Sequence, residues 1–248
     1  MITTILSSIF SVTIPIAFNY TIAVIILYLP DSYGFPSPAR VSPYIIGGDD
    51  AVEHSIPWQV VTMSRDRNRM TACGGTLISS RHVLTAAHCE EARSSDIVIL
   101  GAHEVGLDGS SDGYHRGVCK SVNHPDYNWS SNDYDIAILH LEEPVQFNDR
   151  VAPACLPEPG RRFARVEAGR KMTVSGWGLI KYWNKRKFDH RNPKTYPQVS
   201  NNLRKLDVPG ISNEQCRKLY PGFHAHNMIC AGYLEGEKDA CRGDSGGL

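Results

Sequence analysis

Six residues, Gly243-Asp244-Ser245-Gly246-Gly247-Leu248, constrain this chain more than any other stretch. A serine set between glycines presents its hydroxyl on a tight turn. The glycine ahead of it frees a backbone N–H to face a substrate oxygen, and those behind let substrate approach the main chain. The spacing Gly-x-Ser-x-Gly also fits a nucleophile elbow, in which the acid and the histidine follow the serine. Three residues follow Ser245 in this sequence, so that order is excluded. Its partners belong upstream, in the order His, Asp, Ser.

Both partners are there. Thr85-Ala86-Ala87-His88-Cys89 follows the apolar pair Val83-Leu84, and Asp135 heads the β-branched run Asp135-Ile136-Ala137-Ile138-Leu139. Further motifs lie between and around them: Ile45-Ile46-Gly47-Gly48, Pro57-Trp58-Gln59-Val60, Cys73-Gly74-Gly75-Thr76-Leu77-Ile78, Ser175-Gly176-Trp177-Gly178 and Cys230-Ala231-Gly232. Any one of these is a weak signal. Together and in this order they are specific, and from Ile45 to Leu248 the sequence resembles the trypsin/chymotrypsin family of serine endopeptidases.

The resemblance implies an all-β fold: two antiparallel six-stranded β-barrels with a catalytic cleft between them. The second barrel is expected to be incomplete in this chain, because its last strands would follow Leu248. His88 and Asp135 would come from the first barrel and Ser245 from the second. Ser245 would be the nucleophile, His88 its general base, and Asp135 the group that orients the imidazole and stabilises its protonated form. The N–H groups of Gly243 and Ser245 would form the oxyanion hole. Asp239, six residues before the nucleophile, matches the acid at the base of a pocket for a substrate Arg or Lys. Arg242 stands where many relatives have glutamine and would favour acidic groups near the cleaved bond. Ile45 would become the new N-terminus on activation, its ammonium pairing with Asp244. Tyr44, preceded by Pro43, departs from the Arg or Lys expected before that cut, so the activating protease would have to accept an aromatic residue.

The same resemblance pairs Cys73 with Cys89 and Cys216 with Cys230. It sends Cys241 to a partner beyond Leu248. Cys155 tethers the activation segment in relatives, but residues 1–44 contain no cysteine. Cys119 has no family partner, and a Cys119–Cys155 bond stays open. Met172 stands where many relatives carry another cysteine.

Each residue also has an ordinary reading. The chain has ten histidines, most of them destined for surface or core. A lone Asp is usually a turn or a cap, and Asp239 beside Lys238 fits a solvated loop. The joint match outweighs these. Asp133 is the nearby competitor for the acid role and is rejected because it lies outside the Asp135-Ile-Ala-Ile frame. No cofactor is expected. No C-x-x-C or H-E-x-x-H spacing marks a zinc site. Ala102 follows Leu100-Gly101 where the family's calcium loop begins with glutamate, so Glu104, Asp108 and Asp112 are not expected to hold calcium tightly. Asn128-Trp129-Ser130 is a glycosylation sequon in a surface loop; Asn19-Tyr20-Thr21 also matches but falls within the leader.

Hydrophobic residues make up 42% and charged residues 21%, with a formal net charge of +0, which suits a globular domain and gives no support for nucleic-acid binding. Lys181 to Lys194 is a local basic stretch, read as a solvated loop in preference to an anion-binding exosite. Residues 1–30 carry no charged side chain, and Ile22 to Leu29 is the strongest apolar run. Residues 1–34 read as a signal peptide, with a signal anchor as the alternative. Either places the protease domain outside the cell, secreted or tethered as a type II membrane protein, and seven cysteines suit that oxidising space. Residues 35–44 read as an extended Pro/Ser-rich activation linker, and 45–248 as the protease domain.

Short β runs are expected at Trp58 to Met63, Thr76 to Ile78, Val83 to Thr85, Ile97 to Leu100, Ile136 to Leu141 and Met172 to Ser175. Turns are expected at Asp108-Gly109, Asp112-Gly113 and Asn123-His124-Pro125. The function expected is hydrolysis of peptide bonds in protein or peptide substrates after Arg or Lys, with an activating protease and protein inhibitors as further partners. The alternative is a non-catalytic homologue, a truncated isoform that acts by binding.

Overall fold

The computed structural model describes residues 48–66, 69–91, 97–106, 108–156, 167–179, 200–224, 227–236, 238, 240 and 243–247. The expectations for the leader and linker, for Ile45, for the basic stretch Lys181 to Lys194, and for Asp239, Cys241 and Arg242 lie outside these residues. Among the described residues no helix is long and apolar enough to cross a membrane.

Six strands close into the first barrel: β2 (Gln59–Asp66), β3 (Arg69–Ser79), β4 (His82–Thr85), β5 (Ile97–Leu100), β6 (Tyr114–Asn123) and β7 (Ala137–Leu141), in the order β2-β3-β4-β7-β6-β5. Alternation drives the closure. In β4 and β7 every second residue is buried, so Val83, Thr85, Ala137, Leu139 and Leu141 face inward. Val60, Leu77, Val98 and Leu100 meet Val83, Leu139 and Leu141 in one apolar core. Each such side chain contributes about 1.5–3 kcal/mol by leaving water.

The second half is built on β9 (Arg204–Ile211), which pairs with β1 (Asp49–Asp50), β8 (Lys171–Gly176) and β10 (Cys230–Ala231). Among the described residues this is an open four-stranded sheet beside the closed barrel. Two short helices complete the elements: α1 (Ala87–Glu91) directly after β4, and α2 (Asn213–Leu219) after β9. Ser212 caps α2 by accepting the Gln215 N–H at 3.2 Å.

The two halves share a core in which Ala51, Trp177 and Leu203 pack with Val61, Met63 and Ile99. The His103 carbonyl takes N–H bonds from Leu203 (2.8 Å) and the Trp177 indole (3.1 Å). In the buried seam, Ser175 Oγ donates to Gln59 Oε1 at 2.7 Å.

All six expected strands are present, most with longer ends. β1, β6, β9 and β10 lie outside the expected runs. β6 is half-exposed with a register shift between Val118 and Lys120, so its alternation is blurred. β9 carries Pro209-Gly210, which reads as a turn, although Leu206 and Val208 alternate inward with Lys205 and Asp207. The disulfides Cys73–Cys89 and Cys216–Cys230 are formed, with Cα atoms 6.3 and 6.1 Å apart. Cys119 and Cys155 are exposed free thiols, so the bond left open between them is not made.

Candidate active site

Strand register brings the first two site residues together. Thr85 pairs with Ala137 across β4 and β7. His88 lies three residues beyond Thr85, and Asp135 lies two before Ala137. Antiparallel pairing therefore delivers both to the same end of the barrel. There Asp135 Oδ2 accepts the His88 Nδ1–H at 2.7 Å, while Oδ1 accepts the His88 backbone N–H at 2.8 Å. The Asp135 side chain is 8% exposed and that of His88 39%, so the acid is sheltered and the imidazole is open to a ligand. An ionised carboxylate on Nδ1 assigns the proton to that nitrogen and leaves Nε2 with its lone pair outward.

The loop that presents Asp135 is held in an uncommon conformation. Asn132 and Tyr134 both have positive φ, 52° and 55°, which is unfavourable for a bulky aromatic. Tyr134 is fixed there by stacking on His124, with centroids 4.6 Å apart. Asp133 has a different partner. It accepts the Asn227 amide at 2.8 Å and ties this loop to the other half of the molecule.

Ser245 reaches the first barrel through its own backbone. Its carbonyl accepts the Gly74 N–H at 2.6 Å, and the Gly74 carbonyl accepts the Thr85 hydroxyl at 2.8 Å. Close approach explains the glycines here. Gly246 has φ +83°, and a Cβ on it would strike Thr85 Oγ1 and the Gly74 carbonyl; a Cβ on Gly247 would lie 2.9 Å from the Ser175 carbonyl. Ser245 O lies 3.9 Å from Cys89 Sγ, and His88 Nε2 lies 3.7 Å from the same sulfur. The Cys73–Cys89 bridge is thus the common floor beneath His88 and Ser245. Among the described residues no hydrogen bond joins Ser245 Oγ to His88, and none occupies the N–H groups of Gly243 and Ser245. Catalytic contacts of this kind tighten when substrate binds. Cys73, His88 and Cys89 also converge as possible metal ligands, but both sulfurs are committed to the disulfide.

Asp244 is 1% exposed. Its Oδ1 accepts the Gly178 N–H at 2.8 Å. A Cβ on Gly176 would collide with the carboxylate, and one on Gly178 would lie 2.5 Å from Oδ2. The motif Ser175-Gly176-Trp177-Gly178, legible in sequence without its reason, is the cradle for this acid. The supports that sequence reasoning missed are Thr85, Gln59 with Ser175, and Tyr134. None carries a sequence signal of its own beyond lying in or beside the quoted motifs.

Asn128 is exposed, and its side-chain oxygen accepts the Ser130 N–H (3.0 Å) and hydroxyl (2.7 Å). Asp112 accepts the N–H groups of His103 and Glu104, and Asp108 accepts the backbone N–H and the hydroxyl of Ser110, so both carboxylates bond within their own loop.

A family model described as Trypsin matches residues 45–247. The chain is 37% identical to the clotting factor G beta subunit of Tachypleus tridentatus over 218 residues, covering 82% of this chain and 64% of that protein. It is 37% identical to the trypsin of Sus scrofa over 203 residues (82% and 78% covered) and 38% identical to serine protease 1 of Rattus norvegicus over 212 residues (85% and 76% covered).

Proposed function

The chain belongs to the trypsin family of serine endopeptidases, and from that premise we propose that it hydrolyses peptide bonds after Arg or Lys with His88, Asp135 and Ser245 as its catalytic set. The observation that carries this reading is the double hold of Asp135 on His88, with Ser245 across the same disulfide sulfur.

In the proposed reaction His88 Nε2 takes the Ser245 proton as Oγ attacks the substrate carbonyl carbon. The carbonyl oxygen becomes an oxyanion facing the N–H groups of Gly243 and Ser245. The imidazolium, stabilised by Asp135, gives its proton to the leaving amine, and an acyl-enzyme remains. Water then adds with His88 as base, releasing the acid and restoring Ser245. Asp239 is the proposed partner for the substrate cation, because a carboxylate in a closed pocket favours a guanidinium or ammonium. Arg242 is proposed to favour acidic residues beside the cleaved bond.

Activation is proposed to free Ile45, whose ammonium pairs with Asp244. The buried, glycine-cradled Asp244 carboxylate supports this. Partners are protein substrates, an activating protease and protein inhibitors. The two disulfides support an extracellular setting, with a membrane anchor as the alternative, and Asn128 is the proposed glycosylation site.

The test is turnover of paired Arg, Lys and Phe amide substrates by the activated protein, beside Ser245→Ala. Ser245-dependent cleavage of Arg and Lys amides is expected. A preference for Phe overturns the Asp239 assignment. Absence of Ser245-dependent turnover favours the non-catalytic, binding reading.

A further inference from the structure

Arg204 opens β9 and is 3% exposed. Its guanidinium reaches across to β1: Nη1 donates to Asp50 Oδ1 and Nη2 donates to the Gly48 carbonyl. Such a fork fixes direction as well as distance, because a planar guanidinium presents parallel donors. The main chain repeats the grip. Asp50 pairs with Arg204 and Asp49 with Lys205, and the Ala51 N–H donates to the Leu203 carbonyl at 2.9 Å.

Arg204 has a second neighbour. On its other side it pairs with Gly176 of β8, the glycine that leaves room for the Asp244 carboxylate. One residue of the central strand therefore stands between Asp50 and the Asp244 cradle. Adjacent strands lie about 4.8 Å apart, so Asp50 and Gly176 are about two spacings apart. Three peptide units separate Ile45 from Gly48, a reach of about 10 Å. That reach is comparable with the two strand spacings between Asp50 and Gly176.

We propose that Arg204 is a positioning residue for activation: it locks Gly48–Asp50 onto β9 in the uncleaved chain, so that the amino group freed at Ile45 is released within reach of Asp244. This rests on the Ile45–Asp244 reading above. The docking of the downstream strand then precedes the cut, and less chain remains to be ordered afterwards, which lowers the entropic cost of forming the ion pair.

The experiment compares the parent chain with Arg204→Lys, Arg204→Met and Asp50→Asn. Asp50 is 56% exposed and Asn keeps a side-chain oxygen for the guanidinium, so Asp50→Asn is the milder change where a substitution at buried Arg204 does not fold. Amide exchange is read on the uncleaved chain at residues 48–52, with β5 and β7 as internal references. Exchange at 48–52 at least tenfold faster in Arg204→Met and Asp50→Asn is expected, with β5 and β7 unchanged. Arg204→Lys, which keeps the charge but loses the fork, is expected to fall between. After cleavage at Tyr44–Ile45, the rate at which cyanate carbamylates the Ile45 amine is measured. The parent amine is expected to react at least tenfold more slowly than that of Asp50→Asn. Unchanged exchange at 48–52 in every variant overturns the proposal. So does fast exchange spread over β5 and β7, which marks Arg204 as holding the whole fold. Locally fast exchange with an Ile45 amine equally reactive in every form overturns the Ile45–Asp244 reading, and the proposed link to activation falls with it.

Discussion

Asp135 holds His88 at two points, the ring Nδ1–H at 2.7 Å and the backbone N–H at 2.8 Å. The second bond ties the acid to the first turn of α1, so the imidazole is fixed relative to the helix that carries it. Orientation and tautomer are both set before any substrate arrives.

Asp135→Asn is therefore expected to keep the fold and lose the reaction. An amide cannot stabilise the imidazolium and favours the wrong tautomer, a change of about 10⁴-fold in kcat where this constellation operates. KM for an Arg amide should be nearly unchanged. Asp133→Asn is the control, since Asp133 bonds Asn227 instead of His88. It should lower stability by about 1–3 kcal/mol and leave kcat within tenfold. Equal losses of kcat in both variants would remove Asp135 from its role.

Gly246→Ala tests the seat of the Ser245 loop. The position combines a left-handed φ with contact against Thr85 Oγ1 and the Gly74 carbonyl. Neither neighbour can retreat, because they bond each other at 2.8 Å. A loss of about 3 kcal/mol or more is expected, read as a lower urea midpoint at an unchanged m-value. A stability within about 0.5 kcal/mol of the parent would show that the loop can shift.

Replacing Cys73 and Cys89 together by Ser removes a cross-link between residues 16 apart in sequence. The loop entropy of that bridge is about 3 kcal/mol, and the unfolding midpoint should fall accordingly. Because the bridge also underlies His88 and Ser245, kcat should fall further than Cys216→Ser with Cys230→Ser lowers it. Equal effects of the two removals on kcat would make the Cys73–Cys89 bridge merely structural.

Acid should destabilise the first barrel through its histidines. Burial, then His140, then Arg81 lower the pKa of His82 to about 4 from an ordinary 6.5. His140 and His124 are also lowered, chiefly by burial. Between these values the unfolded chain binds a proton that folded His82 refuses, so stability rises with pH. The contribution is intact above about pH 6.5, declines as pH falls, and is spent below about pH 4. His82→Gln should show a smaller fall in thermal midpoint than the parent between about pH 7.5 and 4.5. An identical fall would place the acid sensitivity elsewhere.

The chain's family, its order of site residues and most of its first barrel were legible in the residues themselves. Val83-Leu84-Thr85 and Ile136 to Leu141 carry strand alternation, and Asp244-Ser245-Gly246-Gly247 carries turn chemistry, because these depend on neighbours in the chain. β6 and β9 escaped because a register shift and Pro209-Gly210 disguise their period. What tertiary structure alone decided is distance between residues far apart in sequence. The pairing of Thr85 with Ala137 turns His88 and Asp135 into a hydrogen-bonded couple. The seam of Gly74 against Gly247 brings Ser245 to the same barrel end. The burial of Arg204 between Asp50 and Gly176 joins the start of the domain to the Asp244 cradle. A one-residue slip in any of these strand pairings would turn those side chains to the opposite face, and no local sequence signal records which register the closed barrel and its neighbouring sheet require.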